Sequence, residues 1–379
     1  MKIIKLFPVL LVVLFCSIFL LSKLFISYWH SPLEHLTESQ LYTVKSGMGF
    51  NRVVDDLSAQ GVLESPLLTT LWVRIFEPNF LLKVGEYRIP ALASPADIVE
   101  ILGSGVSLQY KITLLEGDNA LQMLARFAVK DTLVIDVSSA SAGSLIEDAK
   151  VEAIHLKDQE LPLSQSLTEL LSPSAIELME GVVHPEGWFL PDTYFFSRDD
   201  HASSLLLSSH LAMLDVLAEE WSARDSGLPY RSAYEALIMA SLIEKETGVA
   251  YERAQIAGVF VRRLHQRMRL QTDPSVIYGL GAEYTGNLRR ADLKRDTVYN
   301  TYTRHGLPPT PIAMPGRAAI HAALHPLDGD SLYFVAKGDG SHYFSATLKE
   351  HQAAVRKYQI KQRRADYRSA PASIKGDAG

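Results

Sequence analysis

Cysteine is almost absent from this chain and charge of either sign is in no great excess, and each scarcity removes a class of function. Of 379 residues only Cys16 is a cysteine, so neither an intramolecular disulfide nor a cysteine metal cluster can form. Leu14-Phe15 precede it without the small residue that lipoprotein processing places before a lipid-modified cysteine, so no lipid anchor is expected. Lys and Arg total 37 against 43 Asp and Glu, a net charge of -6, which gives no general pull toward nucleic acid. A phosphate loop is also missing. Gly338-Asp339-Gly340 separates Leu332–Val335 from His342–Ser345 and reads as the turn of a hairpin. His305, His321, His325 and His342 are scattered. His321 and His325 share a helical face, but no Glu stands between them as in zinc hydrolases, so neither a metal nor another cofactor is expected.

What is present starts with a long apolar run. Leu6 to Ser22 is almost unbroken Leu, Val, Phe and Ile, and it resumes after Lys23 as Leu24-Phe25-Ile26 before Tyr28-Trp29. About 20 such residues span a bilayer core. Lys23 can extend its ammonium to the headgroups, and Tyr28 and Trp29 suit the interfacial aromatic belt. No small-x-small cleavage pattern follows, which favours a retained anchor over a cleaved signal peptide. Lys2 and Lys5 then mark the cytoplasmic side, with everything after residue 30 extracytoplasmic.

Beyond the anchor, hydrophobic residues at 47% of the chain can fill more than one core. Leu41–Val44 reads as a strand, Ser46–Gly49 as a turn and Asn51–Gln60 as a helix closed by Gly61. A second helix begins with Ser65 as N-cap and Pro66 at its first position. A return strand covers Val84–Ile89, and a helix from Ser94-Pro95 reaches Leu102 before Gly103. The strand, glycine turn and helix recur at Lys111–Asp118 and Ala120–Val129. Both copies resemble the LysM glycan-binding module in outline, and either spacing or binding could be their purpose. Residues 131–180 form a polar connection without a motif, and 356–379 read as a disordered tail.

The chemistry points to the helix from Ser232 to Thr247, apolar until Glu244-Lys245-Glu246. With about 100° between successive residues, Met239, Leu242 and Ile243 lie on the side of Glu246, whereas Glu244 faces nearly opposite. A carboxyl set against apolar neighbours favours its neutral form and can serve as a general acid near neutral pH. Against this, three charges at a helix end are commonly just solvated, so the following segments must decide.

Those segments are Ala240–Thr247, Glu252-Arg253, Val259–Leu264, Met268–Gly279, Tyr299–Tyr302, Gly306–Pro309 and Pro311–Gly316, with Glu186–Tyr194 upstream. Together they closely resemble the endolytic murein transglycosylase, or YceG-like, family, from the anchor to about His351. A longer polar connection near residues 138–174 departs from it. The resemblance implies an α+β architecture: an anchor at 6–29, a LysM-like domain at 30–130, and a mainly helical catalytic domain with a small sheet at 181–355. It also implies cleavage of the β-1,4 bond between N-acetylmuramic acid and N-acetylglucosamine in nascent peptidoglycan strands, leaving 1,6-anhydromuramoyl ends. Residues 1–5 would lie in the cytoplasm and the catalytic domain outside the bacterial inner membrane, near synthases of the elongation machinery. In lytic transglycosylases a single Glu followed by Ser or Thr is the acid and base, and Glu246-Thr247 fits where Glu244-Lys245 does not.

Substrate contacts are expected from Glu186, Thr247, Gln271, Thr272, Asp273, Tyr278, Asn300 and Tyr302, whose amides, hydroxyls and rings suit a sugar polymer. For Asp273, helix capping and substrate contact stay equally open. Phe189 and Leu190 are expected to pack. Two rival readings remain: a non-catalytic glycan-binding scaffold, and a hydrolase using Glu246 and Asp273 as a carboxylate pair.

Overall fold

Residues 6–136 and 185–361 are described by the computed structural model, and the apolar start of the chain is one helix, α1 (Leu6–His30). Its Leu11–His30 portion has mean hydropathy 2.2 and is long enough to cross a membrane. The end of α1 corrects one expectation. Trp29 is only 3% exposed and packs with Val73 and Val99 in the folded unit that follows, so a ring read as an interfacial collar is instead core. Leu33 and Leu36 continue inward behind it.

Two units are distinguished among the described residues: those of Met1–Tyr110 with Phe195–Asp200, and those of Lys111–Tyr194 with His201–Gly379. In the first, β1 (Gln40–Val44) pairs antiparallel with β2 (Gly85–Ile89), Tyr42 facing Tyr87. Helices α2 (Phe50–Ala59), α3 (Pro66–Phe76) and α4 (Pro95–Ser104) complete it. Val53, Val54, Leu57, Ile98 and Leu102 supply most of the helical side of its core. Ser65 holds the N-cap position of α3, but its side chain makes no cap bond; its carbonyl accepts from Tyr28 Oη instead (3.1 Å). Helix α4 runs through Gly103, where the Phe80 ring lies 2.7 Å from an added Cβ. Gly103 is therefore a close-packing position, and Gly105 at φ 76° closes the helix.

The second unit begins twenty residues before the expected boundary, about the length of the repeated strand-turn-helix. The reason is hydrogen bonding: Gly117 N donates to Met314 O (3.0 Å) and Met314 N to Asp118 O (2.8 Å). The second copy of the motif, β3 (Tyr110–Thr113) and α5 (Ala120–Ala128), thus leads into the unit that holds the chemistry. Strand β4 (Thr193–Phe196) pairs with β3. Helices α6 (Ala202–Ser222), α7 (Ala233–Glu246), α8 (Arg253–His265), α9 (Asp273–Leu280) and α10 (Arg317–Leu324) follow. The expected hairpin is present as β5 (Tyr333–Ala336) and β6 (His342–Ser345), with Phe334 opposite Phe344.

Helix α7 is the centre of this unit, every residue from Ala236 to Ile243 being buried. It is apolar all round because helices cover it all round. After β6, α11 (Leu348–Val355) continues as a π-helical turn over Arg356–Lys361, so the chain stays helical beyond the expected start of the tail. Of the expected 131–180 connection, Asp136 is fixed by Ser203, accepting from its N (3.0 Å) and Oγ (2.6 Å). Residues 137–184 and 362–379, which hold most of the expected 131–180 connection and 356–379 tail, lie outside the described residues.

Candidate active site

At the end of α7 three consecutive charged residues leave the buried rod in three directions, as steps of about 100° require. Lys245 Nζ donates to Gly117 O (3.0 Å). Glu244 accepts from Gly316 N (3.0 Å) and Arg253 Nη2 (3.4 Å) with its side chain 5% exposed. It is a buried brace, and burial with the nearby Glu116 raises its pKa. Glu246 turns toward a different group. It is half-buried, and its carboxyl is pushed up to about 7, first by loss of hydration and then by the Asp273 charge. The Thr272 hydroxyl and the Arg263 guanidinium act the other way, favouring the carboxylate.

The surroundings of Glu246 are built tightly. Arg263, 7% exposed at the end of α8, donates from Nε to Leu332 O and from Nη1 to Leu270 O (2.7 Å each). It also lies over the Tyr333 ring at 5.2 Å. Sequence reasoning assigned Arg263 no role. Its signal was an arginine following the buried apolar run of Val259–Val261, a placement that demands partners. Gln271, exposed and at φ 53°, donates its N–H to Thr301 O (3.2 Å). Thr272 N donates to Thr301 Oγ1 (3.0 Å), which also meets Ser275 Oγ (2.9 Å). Thr272, rather than Asp273, occupies the cap position of α9. Asp273 is the first helical residue, where its charge suits the helix dipole, and its Oδ1 accepts from Tyr302 Oη (2.6 Å). Gln271, Thr272, Asp273 and Tyr302 therefore form one cluster, and Thr272, Asp273 and Tyr302 act electrostatically with Glu246.

Four other expected contacts are spent inside the protein. Thr247, 1% exposed, leaves α7 in extended conformation; its Oγ1 accepts from Val249 N (2.9 Å) and donates to Glu252 Oε2 (3.4 Å). Glu252 in turn accepts from the backbone N and Nδ1 of His342 (2.8 Å each), a buried pair the sequence did not reveal. Asn300, 1% exposed, donates to the carbonyls of Asp292, Leu293 and Arg295 and accepts from Tyr302 N. Tyr278 Oη donates to Glu186 Oε2 (3.0 Å), and Ala120 N donates to Glu186 Oε1 (3.0 Å). Glu186 is 2% exposed; it ties α5 to α9 rather than lining an open groove. Phe189 packs at 1% exposure, as expected.

Burial raises the Glu186 carboxyl to about 8 from an ordinary 4.5. Between those values the folded chain holds a proton that the unfolded chain has released, so stability falls as pH rises through the window. Glu186→Gln keeps the shape and removes the titration. Melting temperatures from pH 5 to 9 are expected to decline less in the variant than in the wild type; equal slopes would exclude Glu186 as their source.

The rings of His321 on α10 and of His325 just after it lie 4.4 Å apart and tilted by 33°, and the structure brings Glu220 of α6 to them. Glu220 Oε2 meets His321 Nδ1 (2.7 Å) while Oε1 accepts from Arg317 Nε (2.9 Å). The cluster ties α6 to α10 as an ion-pair network, and the guanidinium on the carboxylate competes with any cation.

Comparison with known proteins adds to this geometry. The profile of the YceG-like family matches residues 42–357. An endolytic murein transglycosylase of Bacillus subtilis is 30% identical over 338 residues, covering 87% of this chain and 89% of that protein. Another, from Streptococcus pneumoniae, is 26% identical over 328 residues, covering 82% of this chain and 57% of its own length. A crystal structure of a YceG-like protein from Listeria monocytogenes superposes with a TM-score of 0.50 at 26% identity, covering 84% of this chain and 99% of the other.

Proposed function

Because the chain belongs to the YceG-like family, we propose that it is an endolytic lytic transglycosylase that cleaves the β-1,4 bond after N-acetylmuramic acid in peptidoglycan, with Glu246 as acid and then base. The observation that carries this reading is the half-buried Glu246 carboxyl, held up to about 7 beside Asp273, Thr272, Tyr302 and Arg263. Neutral Glu246 donates its proton to the departing glycosidic oxygen as positive charge builds on the muramic ring. The new carboxylate is disfavoured by its dry setting and by Asp273, so it reclaims a proton. It takes that proton from the C6 hydroxyl of the same sugar, whose oxygen bonds to the anomeric carbon. Proximity favours this intramolecular attack over water. Arg263 and Thr272 steady the carboxylate between the two transfers.

Gln271, Asp273 and Tyr302 are the substrate contacts this geometry leaves available, since Gln271 and Asp273 are exposed. The membrane-proximal unit offers a second glycan contact. A cavity of about 540 Å³ lies at its glycine turn, lined in part by Thr43, Lys45, Ser46, Arg52, Asp56 and Gln60, which supports the LysM-like reading. With α1 as anchor and Lys2 and Lys5 inside, the catalytic unit would work outside the inner membrane, on strands emerging from neighbouring synthases.

Asp273 also favours one rival, a hydrolase in which it activates water. Mass spectrometry of digested glycan strands separates the two: anhydro ends are expected, whereas reducing ends one water heavier would refute the transglycosylase step. Strands left uncut by the purified full chain would favour the scaffold reading. The acid role also sets a pH limit. Since Glu246 must begin protonated, kcat/KM is expected to fall about tenfold per unit above pH 7, and a profile flat to pH 9 would contradict it.

A further inference from the structure

Helix α3 presents two unlike faces. Thr69 and Val73 are buried, while Leu67, Leu71 and Ile75 are 69%, 37% and 60% exposed. With Arg74, these exposed residues span about 100° of the helix. Single exposed apolar side chains are ordinary, but a contiguous apolar stripe on one helix marks a contact surface.

The other side of α3 is clamped to the last turns of α1. Trp72 stacks on Trp29 at 4.6 Å and 11° and meets Phe25 at 5.1 Å. Phe76 meets Phe25 at 6.4 Å, and Tyr28 Oη reaches Ser65 O and Thr69 Oγ1. Counting from Leu6, Phe25 is about 30 Å along α1, the thickness of the hydrocarbon core. Whatever covers the stripe is therefore found where α1 leaves the bilayer.

From this placement we infer that α3 is an interfacial helix that seats Leu67, Leu71 and Ile75 in the outer-leaflet lipid boundary beside the anchor. Arg74 on the same face suits the arrangement, because its stem can lie among acyl chains while the guanidinium meets lipid phosphates. Lipid is the occupant because Phe76, 57% exposed at the end of α3 and 6.4 Å from Phe25, carries the exposed apolar surface of α3 over to that of α1. The consequence is a membrane-proximal unit with a fixed height and tilt, held at two points instead of swinging on one helix.

The inference rests on reading α1 as a membrane span, and the test separates the two. The full chain is reconstituted in vesicles of phosphatidylethanolamine and phosphatidylglycerol with one nitroxide label per sample. Native Cys16, exposed on α1, reports the span. In a Cys16→Ala background, Leu71→Cys and Ile75→Cys report the stripe, and Asp55→Cys, exposed on α2, reports water. Collisions with oxygen and with a water-soluble nickel chelate are then compared. The expected result is that labels at 71 and 75 favour oxygen, at a depth shallower than Cys16, while 55 favours nickel. If Cys16 is lipid-buried but 71 and 75 match 55, the interfacial helix is refuted and the anchor stands. Labels at 71 and 75 shielded from both agents would mean a protein covers the face, which also overturns it. A Cys16 label open to nickel would sink the anchor and the inference together.

Discussion

Glu246→Gln is expected to lower the rate of anhydro-end formation by about 10³-fold or more while leaving the fold intact. The amide fills the same space as the carboxyl but has no acidic proton to give and cannot act as the returning base. Stability should not suffer. The wild-type carboxylate is disfavoured by burial and by Asp273, so a neutral side chain removes a cost that grows as pH rises toward 7. The assay is release of anhydro ends by the full chain, read beside its melting temperature. Glu244→Gln makes the contrast. Glu244 holds Gly316 N and Arg253, so its loss lowers the melting temperature while each folded molecule keeps its chemistry. Full activity in Glu246→Gln would leave the mechanism without its acid.

Trp188→Ala is expected to destabilise the catalytic unit by about 3–5 kcal/mol, the range for truncating a buried large aromatic side chain. Trp188 is 1% exposed and stacks on Tyr234 of α7 at 5.5 Å and 5°. Its carbonyl meets His210 Nδ1 at 2.8 Å, so backbone and ring together join the segment to α6 and α7. Gly187 before it sits at φ 83°, with Pro311 2.5 Å from an added Cβ, so the segment has little room in which to collapse around a cavity. Trp188→Phe keeps an aromatic ring and drops an Nε1–H that has no partner among the described residues; it should cost much less. Denaturant midpoints of the full chain in detergent measure both. A loss below about 1 kcal/mol for the alanine variant would mean that this packing is not what holds α7.

The secondary structure near the site was legible because its signals are local. Ser232 before a run of apolar residues marks the start of α7, and the alternation around Gly338-Asp339-Gly340 marks the β5–β6 hairpin. That Glu244 and Glu246 leave α7 in different directions was legible from helical phase, but not that the Glu244 side chain, 5% exposed, is covered while Glu246 is half-buried. What phase could not supply was partners. Glu244 is no solvated helix end, because Gly316 and Arg253, distant in sequence, close over it. Asn300, Tyr278 and Glu186 have the chemistry of sugar contacts, yet their polar atoms are taken by backbone and by one another. Residue type alone does not tell a satisfied buried group from an available one. The same limit hid the Glu252–His342 pair and the arrival of Glu220 beside His321. Trp29 was misread for a related reason: an aromatic ring at the end of a span suits an interface or a core, and only the position of Trp72 decides.

The proton on Glu246 is the point from which the mechanism departs, and it can be observed directly. Carbon-13 labelling of glutamate in the full chain, with Glu246→Gln identifying the resonance, allows that one carboxyl to be titrated. A midpoint near 7 is expected from its half-buried place beside Asp273. A midpoint near the ordinary 4.5 would put a hydrated carboxylate at position 246, with no proton to offer a glycosidic oxygen at neutral pH.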